Sequence, residues 1–330
     1  MESESRFFYH SFPRPRPGES DGETADRGWA ILQTMQKLGL ILAPEIVEWH
    51  TPVSLGTPSP IRILQRRISF TELSQSELGG HSRRFGPFAL EFEASTLRSL
   101  GALPVIYMPQ SLSAQSPLAL LGPFVVGHLG QIHGMLEKLK QLDDLDSPAH
   151  LENLGANSMA ENCMVTLKNH DKSQRTVQEF QVPWKVIRGI FNYLGFETAP
   201  FDAMTGATSI AQALLYPTDD DHHDQELGYY RQREWRITGD YYVNGSRRGR
   251  SLCNAEKTWL LELDEAFWGK ATHPSEPTPR VDNALSLVQP TPAELVNKVT
   301  RIVVPNEFSE QARRFFGDSG IAIGYLDSSR

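Results

Sequence analysis

Polar and apolar residues alternate at the start of the chain, and a helical spacing follows. Over residues 6–12 the alternation predicts a strand that carries Arg6, Phe8 and His10 on one face. Apolar residues three and four apart then predict a helix over residues 26–37, which Gly39 ends. The chain therefore opens with a strand and a helix whose apolar sides can pack together.

Short runs of β-branched and aromatic residues predict the rest of the sheet in two groups. The first group comprises strands at 61–73, 86–92 and 104–108, with a Ser- and Gly-rich break at 74–80 and a short helix at 94–100. The second group comprises strands at 234–238, 241–243, 258–263 and 321–325, with helices at 293–298 and 308–316. Strands and helices are interleaved here without the regular alternation of a doubly wound sheet.

Helical spacing dominates the middle of the chain. Apolar residues three and four apart over 118–142 and 177–193 predict helices, and few strand signals occur between them. The chain then divides into an N-terminal half of an α+β core (1–110), a helical insertion (111–200) and the C-terminal half of the core (201–330). The predicted fold class is α+β, with a mixed and largely antiparallel sheet.

Composition narrows the classes of function. Of 330 residues, 39% are hydrophobic, which indicates a folded core, and 32 Lys and Arg against 40 Asp and Glu give a net charge of −8. That charge excludes general coating of nucleic acid, and two cysteines exclude a disulfide-dense secreted scaffold. The chain starts without an export signal, and its longest apolar stretch, 118–130, is too short to cross a bilayer. We therefore expect a cytoplasmic protein without a membrane partner.

Residues 229–238 combine aromatic, amide, acidic and basic side chains. Period two places Gln232 and Glu234 on one face of a strand, where both can reach one ligand. Tyr229 and Tyr230 supply aromatic surface for a flat substrate just before that strand. The alternative interpretation is an edge strand whose Glu and Arg side chains form solvated ion pairs.

Two other polar groups have simpler interpretations. Residues 219–224 are all Asp or His, but no helical spacing supports a metal site, and a hydrated acidic loop explains them. We therefore assign no metal ligands. His81, Arg83 and Arg84 follow a Gly-Gly pair, which favours either an anion-binding loop or plain exposure, since no Walker motif is present.

Several of these segments together resemble the AbiGi-type abortive phage-resistance family. The resemblance rests on the order and spacing of 8–10, 68–72, 85–90, 103–107 and 231–236, and it covers about residues 6–110 and 210–325. It implies an abortive-infection protein that works in phage defence. It also implies a partner, either a toxin or antitoxin or a macromolecular acceptor that the sequence does not identify.

A more distant resemblance is to the ADP-ribosyltransferase fold, which binds NAD as its substrate. That family carries a basic residue on its first strand, here Arg6 or His10, and a hydroxyl pair on a middle strand, here Ser69 and Thr71. A Gln-x-Glu pair stands where a loop meets a late strand, here Gln232 and Glu234, with Tyr229 and Tyr230 as the aromatic part of the loop. The resemblance implies an ADP-ribosyltransferase-like sheet.

The chemistry that this resemblance implies explains those residue types. Cleavage of the bond between nicotinamide and ribose develops positive charge on the sugar, which Glu234 would stabilise while Gln232 orients the attacking group. Arg6 or His10 would hold the dinucleotide. We expect an abortive-infection effector with an NAD cleft, acting by ADP-ribosyl transfer or NAD glycohydrolysis. The alternative is a noncatalytic binding module, such as the antitoxin-like partner of a toxin, on the same fold.

Overall fold

A computed structural model describes residues 6–50, 60–109, 121–144, 162–168, 177–183, 201–218, 233–239, 242–243, 246–247, 249–273, 276–287 and 298–326. By its internal contacts the chain divides into two compact units, the first formed by Met1–Leu129 with Ser209–Arg330 and the second by Gly130–Thr208. The second unit overlaps the insertion that the sequence predicts at 111–200.

The helices and strands alternate irregularly along the chain. The α-helices are α1 (Asp21–Leu38), α2 (Gln75–Phe85), α3 (Ala94–Ser99), α4 (Leu121–Asp144), α5 (Phe201–Leu214), α6 (Asn254–Leu263), α7 (Glu265–Trp268) and α8 (Ser309–Phe316). The strands before residue 200 are β1 (Arg6–Phe12), β2 (Leu40–Trp49), β3 (Ile61–Ser74), β4 (Phe88–Phe92), β5 (Leu103–Pro104), β6 (Ile106–Pro109), β7 (Asn162–Lys168) and β8 (Val177–Pro183). The later strands are β9 (Leu215–Thr218), β10 (Glu234–Thr238), β11 (Tyr242–Val243), β12 (Ser246–Arg247), β13 (Arg250–Ser251), β14 (Ala271–His273), β15 (Glu276–Pro279), β16 (Leu285–Leu287), β17 (Arg301–Pro305) and β18 (Ala322–Leu326).

A ten-stranded sheet dominates the first unit. Its main path runs β13-β16-β2-β3-β1-β4-β17-β18, and β10 joins β3 and carries β5 on its other edge. Every pair in this sheet is antiparallel except β17 with β18. The structure confirms a mixed α/β protein with a mostly antiparallel sheet. None of the helices in the described part of the chain is long and apolar enough to cross a membrane.

Strand β3 is the branch point of the sheet. One of its edges pairs with β2 up to Arg67 and with β1 from Thr71 onward. The opposite edge pairs with β10, with Glu234 across from Thr71 and Arg236 across from Ser69. The β2 pairing ends at Arg67 and the β1 pairing begins at Thr71. Within the described part of the chain, no strand pairs with this edge of β3 over residues 68–70. This gap opens the cleft described below.

Helix α1 covers one face of the sheet. Its stripe of Trp29, Leu32 and Met35 is buried in the largest apolar cluster, together with residues of β1, β3, β4 and α8. Burying such a side chain contributes about 1.5–3 kcal/mol. The helix begins at Asp21 rather than at residue 26, because Ser20 and Glu23 form a capping box that the sequence analysis did not use.

Two predicted elements of the first unit are wrong. The predicted break at 74–80 is the start of α2, because the Glu77 carboxylate accepts the Ser74 N–H at 2.8 Å and caps the helix despite its two glycines. The predicted strand at 258–263 is part of α6, where Glu256 accepts the Cys253 N–H at 2.8 Å. Short apolar runs do not separate strand from helix, and in both places the cap decides.

Strand β2 was not predicted at all. Pro44 interrupts its alternation and lacks the N–H that a central strand would donate. The strand nevertheless pairs with β3 from Ala43↔Arg67 to Trp49↔Ile61 and with β16 from Leu40↔Leu287 to Leu42↔Leu285. Pairing with two strands along its length therefore outweighs the local signal.

The second unit contains strands as well as helices. Strands β7 and β8 form an antiparallel pair in which Asn162 faces Pro183 and Lys168 faces Val177. The helix predicted at 177–193 is therefore wrong over Val177–Pro183, and the insertion is not purely helical. Helix α4 confirms the helix predicted at 118–142 in its main part. The helix predicted at 293–298 lies almost wholly outside the described residues.

A buried polar cluster joins three strands of the sheet. The Tyr9 hydroxyl donates to Glu91 at 2.6 Å, and Arg301 donates to the same carboxylate through Nε at 3.0 Å and through Nη2. Register places Tyr9 and Arg301 directly across from Glu91 on its two sides. We call Tyr9, Glu91 and Arg301 the sheet triad.

Candidate functional site

A cleft of about 870 Å³ lies in the first unit at the gap in β3 pairing. Four residues proposed from the sequence line it, namely His10, Ser69, Thr71 and Glu234. Arg6 is not among its lining residues and instead forms an exposed ion pair with Glu77 at 3.4 Å. Gln232, Tyr229 and Tyr230 lie outside the described residues, as does the acidic run at 219–224.

The Glu234 carboxylate is held by three donors. Arg236 donates from Nε to Oε1 at 2.8 Å, and the Tyr107 hydroxyl donates to Oε2 at 2.7 Å. The Ser69 hydroxyl provides the third hydrogen bond. A carboxylate has about four acceptor positions, so one remains for a ligand in the cleft. We call Tyr107, Glu234 and Arg236 the cleft triad.

These contacts keep Glu234 charged although its side chain is only 12% exposed. Burial opposes its ionisation, but the charge and hydrogen bond of Arg236, with the hydrogen bonds of Ser69 and Tyr107, outweigh burial and lower its pKa. Burial and the neighbouring Glu234 charge raise the pKa of Tyr107, so that its hydroxyl stays protonated. The site therefore holds an ionised carboxylate beside a neutral phenol.

The Arg236 side chain is 2% exposed and fixed from several sides. Its guanidinium also donates to the Ala213 carbonyl at 3.3 Å and lies over the Tyr216 ring at 4.7 Å from its centroid. Arg67 lies over the same ring at 5.0 Å and pairs with Glu45 at 2.6 Å. Two guanidinium groups thus make cation–π contacts with the ring of Tyr216, which lines the cleft.

His10 is neutral and oriented. Its Nδ1 lies 2.9 Å from the Ser69 carbonyl oxygen, and because a carbonyl only accepts, Nδ1 carries the proton. Burial lowers the pKa of His10 to about 4, and the hydrogen bond to Ser69 offsets only part of that effect. The remaining ring nitrogen, Nε2, is therefore an acceptor near neutral pH.

The cleft is cationic in a protein of net charge −8. Among the residues that the structure describes, three carboxylates line it, Glu45, Glu234 and Asp264, against seven arginines. The arginines are Arg14, Arg16, Arg27, Arg67, Arg84, Arg236 and Arg280. An excess of guanidinium groups around a concave pocket favours an anionic ligand, and arginine suits phosphate in particular.

The backbone that leads into Glu234 has an unusual conformation. Arg233 has a φ of 43°, which is uncommon for a residue with a side chain. Its carbonyl accepts the Glu72 N–H at 3.3 Å, and its guanidinium lies 3.4 Å from Glu77. The β3 and α2 elements therefore hold this turn in place, and with it the start of β10.

Sequence reasoning missed most of the partners of Glu234. Arg236 carried a signal, since it shares the strand face two residues further on, but it was interpreted only as part of a charge run. Tyr107 is 127 residues away in the chain, and no local pattern connects it to Glu234. Arg67 lies on the predicted second strand without any feature that distinguishes it.

No protein-family model, curated protein or solved structure matches this chain. The fold and the site define an α/β protein with a mostly antiparallel sheet and an arginine-lined cleft around a buried carboxylate.

Proposed function

We propose that this chain is an abortive-infection effector that binds NAD in the cleft and breaks its nicotinamide–ribose bond. The observation that carries the proposal is the position of Glu234, an ionised carboxylate on the wall of a cleft lined by seven arginines. Its neighbours on β3, Ser69 and Thr71, line the same cleft, as does His10 on β1. These four residues are part of the constellation expected from the ADP-ribosyltransferase resemblance, whereas Arg6 does not line the cleft.

The size and charge of the cleft support a dinucleotide ligand. Ligand sites of small molecules measure about 300–1,000 Å³, and the cleft, at about 870 Å³, lies at the upper end of that range. A dinucleotide brings a diphosphate that arginine side chains bind with two hydrogen bonds each. It also brings flat rings, for which Tyr107, Tyr216 and Phe267 offer aromatic lining.

The proposed step leaves a defined task for Glu234. The bond between the ribose C1′ and the nicotinamide nitrogen breaks, and its electron pair leaves with neutral nicotinamide, so that positive charge develops on the ribose. Glu234 stabilises that charge and accepts a hydrogen bond from a ribose hydroxyl at its remaining acceptor position. Water or an acceptor nucleophile then bonds to C1′ and releases a proton. With water the reaction is NAD glycohydrolysis, and with a macromolecular acceptor it is ADP-ribosyl transfer.

The second candidate is a noncatalytic binding module, such as the antitoxin-like partner of a toxin. One contact favours it specifically, because Arg236 lies 2.8 Å from Glu234 and offsets the charge that the catalytic step needs. Such a module would use the cleft to bind a phosphate-bearing ligand without turning it over.

The two candidates are separated by incubating the purified chain with NAD labelled in the nicotinamide ring. The proposed function predicts release of free nicotinamide, with loss of about 100-fold or more in Glu234→Gln while NAD still binds. The matched control is Glu91→Gln in the sheet triad, which removes an equivalent carboxylate that does not line the cleft. Glu91→Gln should keep the turnover of the parent per folded molecule.

Both substitutions leave an arginine without its partner, so folded fractions are measured by circular dichroism in each sample. NAD binding by the parent without nicotinamide release, and phage protection in cells that survives Glu234→Gln, would favour the binding module. Release by the parent and by Glu234→Gln at the same rate would contradict the role of this carboxylate.

A further inference from the structure

Arg14, His81, Arg84 and Phe85 form a second group of cationic and aromatic side chains that line the cleft. They are distant in sequence from Glu234 and Arg236. The His81 ring stacks on Phe85 with 4.3 Å between ring centroids, and the Arg14 guanidinium lies 5.0 Å from the centroid of Phe85. Arg84 lines the cleft beside them. The sequence favours either an anion-binding loop or plain exposure for His81 and Arg84; both lie on α2, where Arg84 is exposed and His81 is half-buried.

Gly86 explains how two distant segments meet here. It has a φ of 123°, and a Cβ at this position would lie 2.3 Å from the Phe12 carbonyl carbon and 2.4 Å from the Pro13 oxygen. Only glycine permits this approach of backbone to backbone. The end of α2 is thereby held against the end of β1, which brings Arg14 onto Phe85.

Most other arginines of the cleft pair with a carboxylate, whereas Arg280 donates to the Pro44 carbonyl instead. Arg16 pairs with Asp264, Arg67 pairs with Glu45, and Arg236 pairs with Glu234. Within the described part of the chain, Arg14 and Arg84 form no ion pair. Both residues are exposed, and the charge of Arg14 acts on Glu45 without an ion pair between them. A bound anion would supply the direct counter-charge that neither guanidinium group has in the described part of the chain.

His81 lies close enough to Arg14 and Arg84 for both charges to act on it. Burial lowers its pKa to about 4, and the charges of Arg14 and Arg84 contribute to the same shift. The imidazole is therefore neutral near neutral pH and can donate one hydrogen bond to an anion without adding a third positive charge.

We propose that Arg14, His81 and Arg84 form the subsite that binds the phosphate groups of the dinucleotide. The identification of the ligand as a dinucleotide rests on the proposed function, but the phosphate chemistry of the subsite does not. In this arrangement the two guanidinium groups bind phosphate oxygens, and Phe85 holds Arg14 and His81 in place. The Glu234 carboxylate then acts on the ribose from another wall of the same cleft.

The test is calorimetric titration of the full chain with inorganic pyrophosphate, followed by ADP-ribose and NAD. We expect Arg14→Gln and Arg84→Gln each to weaken pyrophosphate binding about tenfold, the effect of losing one charge-assisted hydrogen bond. Arg83→Gln is the matched control, because Arg83 is the neighbour of Arg84 on α2 and is equally classed as exposed, but does not line the cleft. It should bind pyrophosphate like the parent.

A competition experiment shows whether the subsite binds the diphosphate of ADP-ribose or only free pyrophosphate. The proposal requires that saturating ADP-ribose displaces pyrophosphate. Simultaneous binding of the two would overturn it, and so would equal pyrophosphate affinity in the parent, Arg14→Gln and Arg84→Gln. Pyrophosphate and ADP-ribose binding that depend on both arginines, without any nicotinamide release from NAD, would leave the subsite standing and refute only the proposed enzyme. Nicotinamide release with an unchanged KM in both variants would refute the subsite and leave the enzyme.

Discussion

The molecule contains two Tyr–Glu–Arg triads with the same chemical groups in different surroundings. In the sheet triad the tyrosine–carboxylate distance is 2.6 Å, and in the cleft triad it is 2.7 Å. The side chain of Glu91 is 5% exposed and that of Glu234 is 12% exposed, so both carboxylates are largely removed from water. Hydrogen-bond geometry alone therefore does not distinguish them.

The difference lies beside the carboxylate. Thr300 donates to Glu91 at 3.1 Å and the triad partners come from the neighbouring strands β1 and β17, so Glu91 ties three strands together. Glu234 has its arginine on its own strand and faces the cleft. A buried, satisfied carboxylate is by itself a structural feature, and open volume next to it makes it a candidate for chemistry.

The largest expected difference between the triads is in turnover after Glu→Asp substitution. Glu234→Asp keeps the charge near Arg236 but withdraws the carboxylate by one methylene, which should lower nicotinamide release from NAD about 100-fold, as misplacement at a reacting centre does. Glu91→Asp makes the same chemical change in the sheet triad and should leave turnover of the folded protein unaltered. A loss of similar size in both variants would show that stability, not chemistry, links Glu234 to turnover.

The second expected effect is a loss of unfolding free energy when Glu91 of the sheet triad is replaced by glutamine. This change leaves Arg301, whose side chain is 22% exposed, without its counter-charge at a junction of three strands. We expect a loss of about 3 kcal/mol in the free energy of unfolding, measured by urea denaturation. Glu310→Gln, in an exposed ion pair on α8, is the control and should cost less than about 1 kcal/mol. A loss at Glu91 no larger than in the control would remove the structural role of the sheet triad.

The histidine at the cleft should make the stability of the protein depend on acid. The pKa of His10 is lowered to about 4, so the unfolded chain binds a proton between about pH 6.5 and 4 that the folded chain does not. Stability therefore falls as pH falls through this window, by roughly 2–3 kcal/mol in all. His10→Asn, whose amide can still donate to the Ser69 carbonyl, should flatten this part of the stability profile. An unchanged slope in His10→Asn would contradict the neutral state of His10 in the folded protein.

The smallest expected effect is that of the tyrosine hydroxyls. Tyr107→Phe and Tyr9→Phe each remove one hydrogen bond to a charged carboxylate, which should cost about 1.5–3 kcal/mol of unfolding free energy in either triad. Tyr107→Phe alone should also change the pH dependence of turnover, because it removes a donor that keeps the pKa of Glu234 low. A turnover profile identical to that of the parent would show that Tyr107 only packs against Glu234.

The parts of this comparison that the sequence predicted are local ones. Period two in β10 separates Trp235 and Ile237, which join the apolar cluster, from Glu234 and Arg236, which face the cleft. The same alternation of side chains predicts strands β1 and β3, and it places Ser69 and Thr71 on one face of β3.

The remaining parts depend on long-range pairing. The gap along residues 68–70 exists because β1 and β2 share one edge of β3, and no pattern within either strand contains that information. Arg14 reaches the cleft through a backbone contact at Gly86, and Tyr107 reaches Glu234 across 127 residues. The helices α2 and α6 were missed because their caps were not given weight against glycines and a short apolar run.

The most direct test of the central claim is a crystal structure of the Glu234→Gln variant grown with NAD. We expect intact NAD in the cleft, with a ribose hydroxyl within hydrogen-bond distance of the side chain at position 234 and the diphosphate bound by arginine side chains. A cleft without NAD under conditions that saturate the variant in solution, or NAD bound with its nicotinamide ribose away from position 234, would contradict the account.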